Sequence, residues 1–453
     1  MTLDPFMDDF PLNPKSPAGS TGPAQGRSIL AIPHIVAWNL TARCNLACSH
    51  CYISAGPWVK TENDLSLSEF QRMADEVLAL SPGAMFVLTG GEPLIRRDLE
   101  EIAAYSVSKG ATVVVGTNGT GLTAKRVASL KAAGVTGFAV SIDSLEDDVH
   151  DEFRHGDGAL KHTLASIERL REAELDFIVQ TSITRENFHE LEALVAFSAE
   201  KGAVSFNLYF LVETGRGTEV KELPPEMNDD ALRRLALMQR DYQGRMMIRS
   251  KCQPAYMRHV HELDSESTLL NYSTRCPCGI QYCRIMPDGK VTPCPYLPVV
   301  AGDLRQQNFA EIWNESPVFQ QIRGGDLDGK CGSCEYRQIC GGCRARAQAN
   351  TGNFMGPDDS CAYVPTGQEA LIRPAADVTY GARPEQALAW SAAATERMQR
   401  IPSFVRAVVT KRVEDYAQRN GVTEITEELL DTVRKDMPVD FSKKLPFFSR
   451  FKK

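Results

Sequence analysis

The stretch TARCNLACSHCY sets Cys44, Cys48 and Cys51 within eight residues, spaced as Cys, three residues, Cys, two residues, Cys. Thiolates at this spacing can hold three irons of a [4Fe-4S] cube. The fourth iron then has no protein ligand and stays open to a small molecule. Spacings that close all four irons serve electron transfer, so a three-cysteine loop points to chemistry at the open iron. The same thiols could instead bind zinc, with His50 as a fourth ligand, or stand as unrelated free cysteines.

A second field of cysteines follows: Cys252, Cys276, Cys278, Cys283, Cys294, Cys331, Cys334, Cys340, Cys343 and Cys361. The segment Cys331-x-x-Cys334, with Cys340 and Cys343 after it, also has the spacing of a zinc ribbon. Thirteen cysteines in a chain whose N-terminus lacks the basic and apolar regions of an export signal argue for metal in a reducing cytoplasm rather than disulfides.

These residues need a frame. From about Ile32, apolar runs alternate with amphipathic stretches: HIVAWNL, AMFVLTG, TVVVGTNG, GFAVSID, DFIVQTSI and VSFNLYFLV. Six such runs predict parallel βα units. One helix is expected from Ser66, with Glu69 completing a capping box and Phe70, Met73 and Val77 facing inward. Another carries Leu160, Leu164 and Ile167. Parallel strands present ligand-binding residues at their C-terminal ends. The cysteine loop, the GGEP of residues 90–93, the TNG ending in Gly119 and the SID ending in Asp143 all fall there.

From about residue 250 secondary structure thins, apart from a strand pair turning at Asp288-Gly289. A region so poor in apolar runs needs staples, and metal clusters would supply them. A Pro/Gly/Ala-rich linker follows. Then comes a helical unit with Phe404, Val405, Val408, Val409, Val413 and Tyr416 at helical spacing, a stop at Gly421 and a cap at Thr426. The net charge of −8 excludes generic nucleic-acid binding. No run of about 18 apolar residues exists to span a membrane.

The cysteine loop and FVLTGGEPLIRRDL together resemble the radical S-adenosylmethionine (SAM) superfamily. That resemblance implies a partial (β/α)6 barrel, an α/β fold. It also implies a [4Fe-4S] cluster on Cys44, Cys48 and Cys51 whose open iron is chelated by SAM, with reductive cleavage to a 5′-deoxyadenosyl radical. Carried over residue by residue, it places His50 near adenine and Gly90, Gly91 and Glu92 at the SAM amino group. Ser141 would contact SAM, with Asp143 following it on the same strand end. Asn118 would approach the ribose or the substrate. HDEFRHGDGA resembles a family motif that makes Arg154 a partner for the SAM carboxylate.

The later cysteines resemble the SPASM extension, a cysteine-rich domain with one or two auxiliary [4Fe-4S] clusters. By that analogy Cys276, Cys283, Cys294 and Cys343 form one cluster, with Cys278 left as a substitute for its neighbour, and Cys331, Cys334, Cys340 and Cys361 form the other. The usual last gap is three residues, where Cys340-Gly-Gly-Cys343 has two. CQPAYMRHVH, CRIMPDGKVTPCPYLP and CGGCRARA resemble the tetrapyrrole-acting members that modify propionates in heme biosynthesis. The C-terminal unit resembles the small helical domain of protochlorophyllide reductase subunits.

The expected organisation is a tail at 1–30, a barrel at 31–248, the auxiliary-cluster domain at 249–365, a linker at 366–388, the small helical domain at 389–440 and a basic-aromatic tail at 441–453. The implied partners are a tetrapyrrole, with carboxylates held by arginines such as Arg216 and Arg258, and a flavodoxin- or ferredoxin-type electron donor. His259 and His261 are weighed as ligands of a tetrapyrrole iron. The rival reading is a SPASM-type peptide maturase. Such enzymes usually carry an N-terminal peptide-recognition domain, for which the first 30 residues are too short.

Overall fold

The computed structural model describes residues 32–243, 245–267, 269–270, 275–373, 388–399 and 403–435. The expected tails at 1–30 and 441–453, and residues 374–387 of the expected linker, lie outside them. All six expected apolar runs form strands: β1 (Ile35–Asn39), β2 (Met85–Thr89), β3 (Thr112–Thr117), β4 (Gly137–Ser141), β5 (Asp176–Ile183) and β6 (Ser205–Phe210). They pair in parallel and in chain order. Helices α1 (Leu67–Leu80), α2 (Leu99–Ser108), α3 (Ala124–Ala132), α4 (Asp147–Arg154), α5 (Ala159–Glu172) and α6 (Leu191–Glu200) intervene. Ser66 and Glu69 close a capping box on α1, which buries Phe70, Met73 and Val77. Burying these three side chains contributes about 1.5–3 kcal/mol each.

The sheet goes further than the six units. β7 (Met247–Lys251) pairs in parallel with β6, after α7 (Pro225–Asp241). The expected boundary between residues 248 and 249 therefore falls inside a strand. α8 (Tyr256–Leu263) follows β7. At the opposite edge β8 (Tyr282–Ile285) lies parallel to β1, and β9 (Lys290–Thr292) and β10 (Gly302–Asp303) extend it in antiparallel fashion. The order is β10-β9-β8-β1-β2-β3-β4-β5-β6-β7. The Asp288-Gly289 turn joins β8 to β9, with Gly289 at φ +90°, where only glycine sits without strain. The cysteine-rich segment thus builds an edge of the barrel's own sheet.

Strand alternation divides the side chains. Val36, Trp38, Phe86, Leu88, Phe138, Val140, Phe206 and Leu208 join one continuous core with the helices. Their neighbours along each strand face the barrel interior. Beyond β10 the helices are short: α9 (Phe309–Glu315), α10 (Pro317–Gly324), α11 (Gly329–Ser333) and α12 (Arg344–Thr351).

The C-terminal unit contains α13 (Ala392–Gln399), α14 (Ser403–Arg419) and α15 (Glu427–Lys435). A parallel pair, β11 (Ala389–Trp390) and β12 (Glu424–Ile425), completes it. Its core includes Ala394, Met398, Val413, Ala417, Ile425 and Leu430, with Val409 and Tyr416 packed against them. The side chains of Phe404, Val405 and Val408 lie outside the described residues. Thr426 Oγ1 accepts from the Leu429 amide at 3.4 Å, as its capping role requires.

Candidate active site

The cysteine loop leaves the C-terminal end of β1 and is held by its neighbours' backbones. The Gly91 amide donates to the Thr41 carbonyl (2.7 Å) and the Glu92 amide to the Arg43 carbonyl (3.0 Å). A Cβ on Gly90 would lie 2.4 Å from the Thr41 oxygen, and one on Gly91 would lie 2.1 Å from the Arg43 oxygen. The two glycines therefore let the GGEP turn press against the loop. Glu92 is buried, and its carboxylate accepts from the Leu94 amide (3.1 Å), the Thr117 hydroxyl (2.7 Å) and the Asn118 amide (2.8 Å). It clips the end of β3 to that of β2. Asn118 in turn donates from Nδ2 to Asn45 Oδ1 (3.0 Å), inside the cysteine loop. Glu92 and Asn118, expected near the SAM amino group and near the ribose or substrate, thus also hold the cysteine loop in place.

Backbone amides point at the sulfurs. Leu46 N–H reaches Cys44 Sγ (3.4 Å) and Ala55 N–H reaches Cys51 Sγ (3.2 Å). Burial pushes the Cys44 thiol up to about 12. Its thiolate therefore needs a cationic partner. His50 Nδ1 and Arg216 Nη2 are buried without a partner, a cost of about 1–3 kcal/mol each that a bound group would offset. The donor set fits an iron–sulfur cluster. It does not fit a single zinc ion. Among the described residues no three cysteine sulfurs fall within 4.8 Å of one another, as tetrahedral zinc with bonds of about 2.3 Å would require.

His50 stacks on Phe153, with ring centroids 4.3 Å apart and planes 8° from parallel. One face of the ring is therefore covered by the chain itself. Arg154 is paired: its Nε and Nη2 lie 2.7 and 2.6 Å from Asp143 Oδ2. Asp143 Oδ1 accepts from the Ser182 amide at 2.8 Å. Burial would raise the Asp143 carboxyl, but Arg154 and the neighbouring histidines outweigh it and hold it below its ordinary value. Ser141 ends β4 on the interior face, and its hydroxyl makes no hydrogen bond among the described residues. Arg216 donates from Nε to the Cys48 carbonyl at 3.0 Å, which braces the loop.

His150 supports the same pair. Its Nδ1 accepts from the Asp143 amide at 3.2 Å, which requires the neutral ring. Burial, reinforced by Arg154, pushes it down to about 4. The unfolded chain takes up this proton near pH 6.5, while the fold resists it until about pH 4. Stability from this group is present above pH 6.5 and is lost as pH falls toward 4, by about 3 kcal/mol at most. In His150→Asn, whose Oδ1 keeps an acceptor without titrating, denaturant midpoints are expected to fall less between pH 7 and pH 4.5 than in the wild type.

The later cysteines form two groups. Cys278, Cys294 and Cys343 share a buried cluster against which Cys252 and Cys276 pack. Cys331, Cys334, Cys340 and Cys361 line one cavity. The Cys340-Gly-Gly-Cys343 segment divides between the two groups, with Gly341 at φ +68° and Gly342 at φ +66°. A Cβ on Gly342 would come 2.9 Å from Cys331 Sγ. Amides again face the sulfurs: Gly342 N–H to Cys340 Sγ and Asp358 N–H to Cys331 Sγ, both 3.4 Å. Buried Asp358 also accepts from the Cys343 amide at 2.7 Å, tying the two groups together.

Cys283 does not join them. It is the register partner of Val36, so it faces the helices, fully buried in the main hydrophobic core. The cysteines found with Cys276, Cys294 and Cys343 are Cys278, in contact with Cys276 and Cys294, and Cys252, just past β7 with φ +60°. The Cys252 carbonyl is held by Arg346 Nη1 at 2.7 Å. The signal in the sequence was the surplus of cysteines in this field, which spacing alone could not sort. The other residues weighed for the substrate have partners of their own. Arg258 is engaged by Asp229 and Glu262 and lies over the Tyr363 ring. His259 meets Asp229 at 3.1 Å, and His261 lies edge-on to Tyr336. Arg258 and His259 are engaged by acids within the chain.

Comparison with known proteins agrees with this geometry. Residues 38–198 match the radical SAM superfamily, residues 276–344 the SPASM iron–sulfur cluster-binding domain, and residues 390–434 the proto-chlorophyllide reductase 57 kD subunit. An AdoMet-dependent heme synthase of Methanosarcina barkeri is 39% identical over 74% of this chain and 97% of its own length. A mycofactocin maturase of Mycobacterium ulcerans is 31% identical over 73% and 88%. The crystal structure of Streptococcus suis SuiB superposes with a TM-score of 0.61 at 15% identity, covering 74% of this chain and 78% of that one, a likeness of fold. The chain belongs to the radical SAM enzymes that carry a SPASM iron–sulfur domain, in the family of the AdoMet-dependent heme synthases.

Proposed function

We propose that this enzyme oxidatively decarboxylates propionate side chains of an iron-porphyrin, in heme or related tetrapyrrole biosynthesis. The observation that carries the reading is the match to a heme synthase across 97% of that relative's length. The mycofactocin maturase matches at lower identity and over less of its length.

Cys44, Cys48 and Cys51 hold the SAM-binding cluster. Cys252, Cys276, Cys294 and Cys343 hold one auxiliary cluster, and Cys331, Cys334, Cys340 and Cys361 the other. Bound there with SAM, these groups supply a 5′-deoxyadenosyl radical for hydrogen abstraction and an acceptor for the electron left over. The chain's own residues supply position and enclosure. Glu92 and Asn118 fix the cysteine loop, the Asp143–Arg154 pair supports it, and Ser141 offers a hydroxyl to SAM. The barrel interior shields the radical from water. A flavodoxin- or ferredoxin-type protein delivers the electron, and the thirteen cysteines suit the reducing cytoplasm.

The test is anaerobic incubation of the reconstituted protein with SAM, a reductant and iron-coproporphyrin, followed by mass spectrometry. Loss of carboxyl mass together with 5′-deoxyadenosine is expected. If SAM is cleaved and no carboxylated porphyrin changes, the substrate class is wrong and peptides become the next substrates to assay.

A further inference from the structure

The interior face of the sheet carries small side chains on its central strands, among them Ala37, Val87, Gly116 and Ala139. Its two edge strands differ. Lys251 on β7 is the register partner of Tyr209 on β6, and Arg284 on β8 is the partner of Ala37 on β1. All three alternate with core-facing neighbours and so share the interior. Tyr209 accepts from Gln180 Nε2 at 3.1 Å.

A row of aromatic rings connects the two edges. Tyr296 lies 6.4 Å from Tyr209 and 5.1 Å from Tyr52, ring to ring. The Arg284 guanidinium lies 5.9 Å from the Tyr52 centroid. Tyr52 directly follows Cys51, and Lys251 directly precedes Cys252. The row therefore runs between the two cysteine sites.

Neither cation forms an ion pair with a carboxylate among the described residues; Cys252 is the acidic group beside Lys251, and Tyr52, Cys294 and Asp288 lie around Arg284. Among the described residues Lys251 makes no ion pair or hydrogen bond, and its nearest charged neighbours are Arg249 and Cys252. Arg284 is buried and donates from Nε to the Thr292 hydroxyl and from Nη1 to the Pro295 carbonyl, both 2.9 Å, with no carboxylate in salt-bridge range. Arg154, Arg258 and Arg346, by contrast, are each paired with an acid. A buried guanidinium without a carboxylate partner is costly, and an incoming carboxylate relieves that cost, while the half-buried Lys251 ammonium is free to meet one.

We infer that Lys251 and Arg284 anchor two carboxylates of the substrate, one at each edge of the barrel, with the mutually tilted tyrosine rings as the apolar wall between them. This rests on the tetrapyrrole reading above and specifies how that substrate is held. Lys251 is the better residue to test, because Arg284 also braces the loop around Pro295.

The experiment uses the anaerobic holoenzyme. Iron-coproporphyrin and its tetramethyl ester are titrated by visible absorption against the wild type, Lys251→Met and Lys251→Arg, and turnover of the acid is measured alongside. Removing a charge-assisted contact is expected to weaken binding of the acid by about tenfold. Ester binding should stay as in the wild type, KM should rise more than kcat falls, and Lys251→Arg should recover most of the loss. Iron content equal to the wild type verifies the fold; if Lys251→Met loses iron, Lys251→Gln is read in the same way. Equal weakening of acid and ester, or no weakening of either, overturns the anchor while wild-type turnover leaves the tetrapyrrole reading intact. A wild type that neither binds nor converts the porphyrin overturns both.

Discussion

Cys252→Ala is expected to lower the iron content of the anaerobically purified protein by about four atoms per chain, one cluster's worth, whereas Cys283→Ala leaves iron content unchanged. The two substitutions look alike in the sequence, since each removes one cysteine from the same field. They differ because β8 pairs with β1 in a register that turns Cys283 toward Val36 and the helices. Cys252, just past β7, lies with Cys276, Cys294 and Cys343. Cys283→Ala should cost only the loss of a small buried side chain, about 1 kcal/mol. In Cys252→Ala porphyrin conversion is expected to stop. Iron analysis and low-temperature EPR of both variants decide the matter. Iron loss in Cys283→Ala with retention in Cys252→Ala would return the ligand to the strand and show the register to be wrong.

The second large effect concerns the pair beneath the cysteine loop. Arg154→Met leaves the Asp143 carboxylate buried without its partner, and breaking such a pair costs about 3–5 kcal/mol. The guanidinium makes two contacts to one oxygen of Asp143, and both side chains are almost fully enclosed. Solvent therefore does little to screen the loss. Arg154→Met combined with Asp143→Asn is expected to recover much of it, because no charge then remains buried. Denaturant unfolding of the wild type, both single variants and the double variant closes the cycle. A single-variant cost under about 1 kcal/mol would mean that the pair is solvated and contributes as a surface ion pair does.

Local pattern carried much of this protein into view. Six apolar runs became six parallel strands because each is an apolar run bounded by turn residues and separated by a helix-length amphipathic stretch. The Ser66–Glu69 cap, the Asp288-Gly289 turn and the Thr426 cap are decided within a few residues, so they read correctly from short windows. The three cysteines of the first site also lie within one loop, and their spacing alone limits what they can hold. The resemblance to radical SAM enzymes rests on such compact motifs.

The surroundings of single polar residues are not written in short windows. Glu92, Asn118, Arg216 and Arg258 are polar residues of the kind that binds ligands. Whether a polar group is free for a ligand depends on what the rest of the fold has already brought to it. Here Thr117 and Asn118 reach Glu92, the Cys48 carbonyl reaches Arg216, and Asp229 reaches Arg258.

By itself the sequence determined the parallel α/β order, the cysteine loop at a strand end, the second cysteine field and the separate helical unit, because each is written in spacing or periodicity along the chain. Only the tertiary structure decided that the cysteine-rich segment completes the barrel's sheet and that Cys252 replaces Cys283 among the gathered thiols. It alone also left Lys251 and Arg284 inside the barrel without carboxylate partners. These facts depend on register between strands far apart in the chain, and a shift of one residue in that register would turn each of those side chains to the opposite face.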